Sequence, residues 1–156
     1  MLKDKPSNVF VVYIQASAQR VWDALTQSEF TKQYFFGRAI ESDWRVGSPW
    51  RLVMEDGRTD CTGVVVESQP PHRLAITWRV EWLDEMRSLP ESRVVYQIDS
   101  LNEQDAVSRL TVSEYVDETL PEKYLEGGRR GWPIILSGLK SLLETGRPLP
   151  KFEMSK

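Results

Sequence analysis

The sequence predicts an α+β domain in which about seven strands supply the apolar surface that a long C-terminal helix lies on. Three observations lead there. Trp132, Ile135, Leu136, Leu139, Leu142 and Leu143 form one continuous apolar stripe on a helix of period 3.6, with Ser137, Lys140, Ser141 and Glu144 on the wet side. Residues from about 36 onward read as alternating strands and turns, and two short amphipathic segments separate them from a first strand. A helix with a single apolar face is not stable alone, so the strands must supply the surface it lies on.

Residues 1–8 are polar and contain a proline, which reads as a loose tail. Val9 to Ile14, VFVVYI, is a β-branched and aromatic run and therefore a strand. Ser17 offers a helix N-cap, and Ala18, Val21, Trp22 and Leu25 at i, i+3, i+4 and i+7 give a short amphipathic helix. Ser28 with Glu29 is a second cap signal, opening a turn or two through Phe30 and Tyr34. Phe35-Phe36-Gly37 then begins an extended segment that reaches Trp44.

Val46-Gly47-Ser48-Pro49 marks a turn, after which Trp50, Leu52 and Met54 share one face of a strand. Asp56-Gly57 is the strongest hairpin signal, between Trp50–Glu55 and Asp60–Glu67. Pro70-Pro71-His72-Arg73 turns the chain again, and Leu74, Ile76, Trp78, Val80 and Trp82 alternate with polar neighbours. Leu83 to Glu91 reads as a polar, partly acidic loop. Val94, Tyr96 and Ile98 alternate next, and Leu110 and Val112 form the last strand. Pro133 fits only a first turn or a kink, so the final helix is expected over Trp132 to Gly146, with Gly146 and Arg147-Pro148 as its stop. The domain is thus expected to span 9–146, and 147–156 to form a C-terminal tail.

The parity of the last strand puts Glu114 inward with Leu110 and Val112, and Thr111, Ser113 and Tyr115 outward. An inward carboxylate has two ordinary explanations, a strand end that meets solvent or a bulge that reverses parity. A third is a polar group that orients a ligand in an apolar cavity, since an unpartnered buried carboxylate is costly.

Composition narrows the function classes. A net charge of −3 spread without blocks argues against nucleic acid as a partner. No apolar run approaches the roughly 20 residues that span a bilayer. The single cysteine, Cys61, rules out an internal disulfide and a CxxC zinc site, so a reducing cytoplasm is expected. His72, the one histidine, sits in a Pro-Pro turn and reads as a solvent-facing loop residue. With so few His and Cys no metal is expected, and without GxGxxG or GxxxxGK[ST] no nucleotide cofactor is expected. Six Trp, five Tyr and five Phe fill cores and can also line a cavity for an apolar ligand.

Several stretches carry a family likeness: AQRVWDALT from Ala18 to Thr26, DWRVGS from Asp43 to Ser48, VVVE from Val64 to Glu67, PPHRL from Pro70 to Leu74 with Thr77-Trp78, and Gly131-Trp132 with the leucines that follow. On these the chain resembles the START-like superfamily with its helix-grip fold. Within it, the chain is similar to small, single-domain bacterial proteins related to the activator of the heat-shock-protein-90 ATPase. Ser48-Pro49 departs from the second glycine usual in that family. The resemblance implies a curved antiparallel sheet of about seven strands wrapped round the long C-terminal helix with a cavity between them, and does not imply catalysis. It places the chaperone role in larger proteins with an added N-terminal domain.

The expected function is noncatalytic binding of a small hydrophobic or amphipathic molecule under the final helix. Candidate lining residues are Trp50, Leu52, Met54, Trp78, Tyr96, Leu110, Val112, Trp132, Ile135 and Leu136, with Glu114 as the polar handle. Access is expected near Leu83–Glu91, Phe36–Trp44 and Gly127-Gly128. One alternative is a protein-interaction or co-chaperone-like stress-response module, with homodimerisation left open. Another is a cyclase- or hydrolase-like enzyme drawing on Glu114, Tyr96 or Tyr115.

Overall fold

The computed structural model describes residues 2–153, so Met1 and residues 154–156 of the two expected tails lie outside it. The order of elements is β1 (Asn8–Ile14), α1 (Ala18–Thr26), α2 (Ser28–Tyr34), β2 (Ala39–Ser42), β3 (Pro49–Val53), β4 (Thr59–Gln69), β5 (Arg73–Val80), α3 (Asp84–Arg87), β6 (Ser92–Ser100), β7 (Ser108–Tyr115) and α4 (Glu122–Thr145). All seven strands form one antiparallel sheet in the order β1-β7-β6-β5-β4-β3-β2. The chain therefore crosses from one sheet edge to the other through α1 and α2, then returns strand by strand until β7 pairs with β1.

Ser17 caps α1 as expected, its hydroxyl accepting from the Arg20 N–H at 3.2 Å, and Ala18, Val21, Trp22 and Leu25 are buried. Ser28 does not cap α2. Extended Gln27 ends α1 and precedes α2, which leaves Ser28 as the first helical residue. β2 starts at Ala39 because Phe36 and Gly37 turn the backbone through φ values of 51° and 77°.

Gly63 is the tightest point of the sheet. The Trp50 indole lies across it and donates to the Thr77 carbonyl at 2.8 Å. A Cβ on Gly63 would stand 1.9 Å from that carbonyl oxygen and 2.4 Å from Trp50 Nε1. The ladder between β4 and β5 shifts register nearby, and the Thr77 hydroxyl accepts from the Val64 N–H at 2.8 Å.

The final helix corrects the sequence expectation. It begins at Glu122 and not at Trp132, and it continues through Pro133. Its first three turns carry Gly127, Gly128 and Gly131, which leave gaps in the apolar period, so only Leu125 and Trp132 mark the buried face there. Gly146 ends it in the left-handed conformation at φ 82°. Lys140 Nζ donates to the Tyr13 carbonyl at 2.6 Å, and Glu144 accepts from the Gln15 N–H at 2.7 Å, so the end of α4 is tied to β1. The segment before β1, expected as a loose tail, runs beside residues 114–117, with the Ser7 N–H donating to the Glu114 carbonyl at 2.7 Å. Among the described residues, no helix is long and apolar enough to cross a membrane.

Candidate functional site

The inward rows of the sheet can be read directly from its register. Ile76, Val94, Glu114 and Asn8 make one row across β5, β6, β7 and β1, and Leu74, Tyr96, Val112 and Phe10 make the next. The lower row is packed solid. The row containing Glu114 lies toward the end of the sheet where the glycines of α4 pass overhead, and the packing opens there. A cavity of about 460 Å³ results, walled by Trp78, Val94, Glu114, Gly128, Gly131, Trp132 and Ile135, with Phe35 and Phe36 on one side. Leu83, Met86, Leu89 and Pro90 wall it from the segment expected as a polar loop, which folds here into the single helical turn of α3.

The α4 glycines form this space in two ways. Gly128 lets the helix backbone approach the carboxylate, since a Cβ there would stand 2.3 Å from Glu114 Oε1. Gly127 and Gly131 line the cavity, and a Cβ on either would meet nothing within 4 Å. Larger side chains at these positions would fill the volume.

Aromatic rings form the floor. Trp132 stands edge-on to Phe35 at 5.8 Å, to Trp78 at 6.0 Å and to Tyr96 at 6.0 Å, and Trp78 tilts against Trp50 at 4.7 Å. Such edge-to-face contacts fix ring positions as well as burying area. Phe36 is different: its left-handed backbone holds a ring that is 51% exposed at the cavity rim. A non-glycine residue in this conformation is a recognised mark of functional segments.

Glu114 is the polar exception. Asn8 Nδ2 donates to its Oε1 at 3.0 Å, and the Trp132 side chain is its second hydrogen-bond partner. Asn8 is held in turn by Arg129, whose Nε donates to Asn8 Oδ1 at 3.1 Å. The chain Arg129, Asn8, Glu114 thus joins α4, β1 and β7. Burial pushes the Glu114 carboxyl above its ordinary pKa, against the opposing pull of the Asn8 and Trp132 hydrogen bonds. Burial, then the nearby Glu114 charge, pushes the Tyr96 phenol well above its usual range.

The raised carboxyl pKa makes a stability prediction. A carboxyl that is harder to ionise in the folded state contributes most stability below its unfolded pKa, and that contribution is lost as pH rises through the folded value. Glu114→Gln, a neutral isostere, is therefore expected to melt at or above the wild-type temperature at pH 7.5 and to lose that advantage at pH 4. Thermal unfolding at the two pH values checks this; a variant that is less stable by the same amount at both would contradict it.

Of the candidate lining residues, Trp78, Glu114, Trp132 and Ile135 meet in the cavity wall. Trp50, Leu52, Tyr96, Leu110, Val112 and Leu136 are buried in the core beneath. Met54 lies past the end of β3, half-buried and away from the cavity, because the ladder shifts register after Leu52. Sequence reading missed Val116, Leu120, Tyr124 and Leu125, which follow the last strand or begin α4. Tyr115 lines a groove on the opposite face of the sheet with Arg73 and Arg93, so Glu114 and Tyr96 are left as the polar pair facing α4. His72 is exposed in its turn, and the buried Cys61 thiol is pushed up in pKa by burial and by Asp60. Among the described residues no cluster of His, Cys, Asp and Glu could hold a metal ion.

A meander of six strands closed by β1 and gripped against a long C-terminal helix defines a helix-grip α+β protein. The model of one family, described as Activator of Hsp90 ATPase homolog 1-like protein, matches residues 15–144, and the chain belongs to that family. Solved structures agree on the fold. Protein MLL2253 from Mesorhizobium loti is 18% identical at a TM-score of 0.70, with 88% of this chain and 97% of that one covered. An HSP90 activator from Plasmodium falciparum is 18% identical at a TM-score of 0.70, covering 88% and 96%. The Aha1 dimer from Colwellia psychrerythraea is 16% identical at 0.67, covering 88% and 96%. No curated protein sequence matches the chain.

Proposed function

We propose that this protein binds a small hydrophobic or amphipathic molecule, without chemical conversion, in the cavity between β5–β7 and the glycine-rich half of α4. The observation that carries this reading is a largely apolar volume of about 460 Å³ into which the half-buried Glu114 faces, with Arg79, Glu85 and Lys123 also in its wall, within the range of small-molecule sites. Burial of ligand surface, at about 25 cal/mol per Å² before the costs of association, supplies the driving force.

Native mass spectrometry of freshly purified protein tests the reading. A copurified amphipathic molecule at near-stoichiometric occupancy is expected, and it should be lost in Gly131→Phe, whose side chain enters the cavity. Gly131→Phe should fold at least as well as wild type, because glycine inside a helix costs about 1 kcal/mol against better helix formers. No adduct, together with no thermal shift across a panel of amphipathic compounds, would sink the proposal.

A second reading, a protein-interaction module, draws on a different surface. Val9, Val11 and Tyr13 are each about half exposed and alternate along the outward face of edge strand β1. The fold relatives described as an HSP90 activator and as a dimer support a chaperone or a second copy as the partner. Sedimentation of wild type and Val11→Lys distinguishes the second copy from a monomer.

A further inference from the structure

The carboxylate in this cavity is short of partners of the right kind. An ionised carboxylate accepts about four hydrogen bonds, and among the described residues the side-chain donors to Glu114 are the uncharged Asn8 and Trp132. The nearby guanidinium of Arg129 is engaged elsewhere, on Glu122 at 2.9 Å, Glu126 at 2.6 Å and the Asn8 carbonyl oxygen at 3.1 Å. Other charged residues line the cavity with partners or exposure of their own. Arg79 is paired with Glu91 at 3.0 Å, Lys123 stands over the Tyr124 ring, and Glu85 is exposed on α3. Among the described residues no cation is paired with Glu114, although Arg79 and Lys123 line the same cavity.

The surrounding rings reinforce that sign. Phe35, Trp78 and Trp132 all line the cavity and pack on one another with centroids 5.8 to 6.2 Å apart, so a group in the cavity lies against one joined aromatic wall. Aromatic faces attract cations through their quadrupole at distances up to about 6 Å. An anionic headgroup would meet repulsion from Glu114 and from those faces, and a neutral one would gain only a hydrogen bond. Resting on the binding reading above, we propose that the cavity selects amphipathic molecules that carry a positively charged nitrogen, seated between the Glu114 carboxylate and the Phe35, Trp78 and Trp132 rings.

Matched-chain probes test this: decyltrimethylammonium, decanol and decanoate, each below its micellar concentration, titrated at pH 7.5 with calorimetry and tryptophan fluorescence. The ammonium compound should bind at least tenfold tighter than decanol, and decanoate weakest of the three. In Glu114→Gln the ratio of ammonium to decanol affinity should fall severalfold, to what the rings alone supply. Gly131→Phe should weaken all three.

The wild-type preference should also fade as pH falls through the Glu114 titration, at a pH above the ordinary carboxylate range. Tyr96 of β6, Arg79 of β5, Glu85 of α3, and Lys123 and Arg129 of α4 are the other charged or titratable groups around the site. Repeating the pH series in Glu114→Gln separates their contribution from that of Glu114. Equal affinities for the three probes, or a preference that survives undiminished in Glu114→Gln, would overturn this inference and leave the cavity reading standing. No binding by any probe would overturn both.

Discussion

Gly63→Ala is expected to cost about 3 kcal/mol or more of unfolding free energy, the upper range for overpacking a close-packed interior. The added methyl would stand 1.9 Å from the Thr77 carbonyl oxygen, which is backbone in a central strand and has no rotamer to change. It would also displace the Trp50 indole, whose only exit is to give up its 2.8 Å hydrogen bond to the same carbonyl. Urea denaturation measures the effect, and Gly131→Ala is the control, because there the methyl meets nothing within 4 Å and helix propensity should gain about 1 kcal/mol. A cost below 1 kcal/mol at Gly63 would show that β4 and β5 can move apart without penalty.

Trp132→Ala should cost about 4 kcal/mol and abolish binding of any occupant of the cavity, since large aromatic truncations in cores fall in the range of about 3–5 kcal/mol. Trp132 is 5% exposed and touches Phe35, Trp78 and Tyr96, so its removal leaves three rings without a common neighbour. It also removes one of the two hydrogen-bond partners of Glu114. Trp132→Phe keeps the packing and loses the donor, and should cost clearly less in stability. Near-ultraviolet circular dichroism gives a second readout, because the signal of the ring cluster depends on fixed packing. An unchanged spectrum in Trp132→Ala would contradict the central place given to this residue.

The sheet was legible because its strands alternate and its turns are chemically explicit. Asp56-Gly57 forms the expected hairpin turn, with Gly57 at φ 89°. Glu114 was also legible, since parity alone carried it to the inner face beside Leu110 and Val112. The early half of α4 was not. A helix is recognised from side chains at regular intervals, and here the cavity exists because Gly127, Gly128 and Gly131 withhold them. The α3 wall was hidden for a related reason: Leu83, Met86 and Leu89 are apolar residues set among Asp84, Glu85, Arg87 and Ser88, too short a stretch for a period to show. What the sequence over-assigned was the depth of the cavity, because strand parity separates inside from outside and cannot separate a packed row from a hollow one.

The pairing of β1 with β7 has a consequence for how the molecule is made. Asn8 finds Glu114 across 106 residues of chain, whereas β3 through β6 each pair with a sequence neighbour. Local pairings form first because they close short loops, so the meander should assemble while β1 is still waiting for its partner. Until then Val9, Val11 and Tyr13 would belong to an unpaired apolar strand, the kind of segment that aggregates before it folds. The clasp of Asn8 between Glu114 and Arg129 would close last, and the cavity under α4 would be completed in the same step.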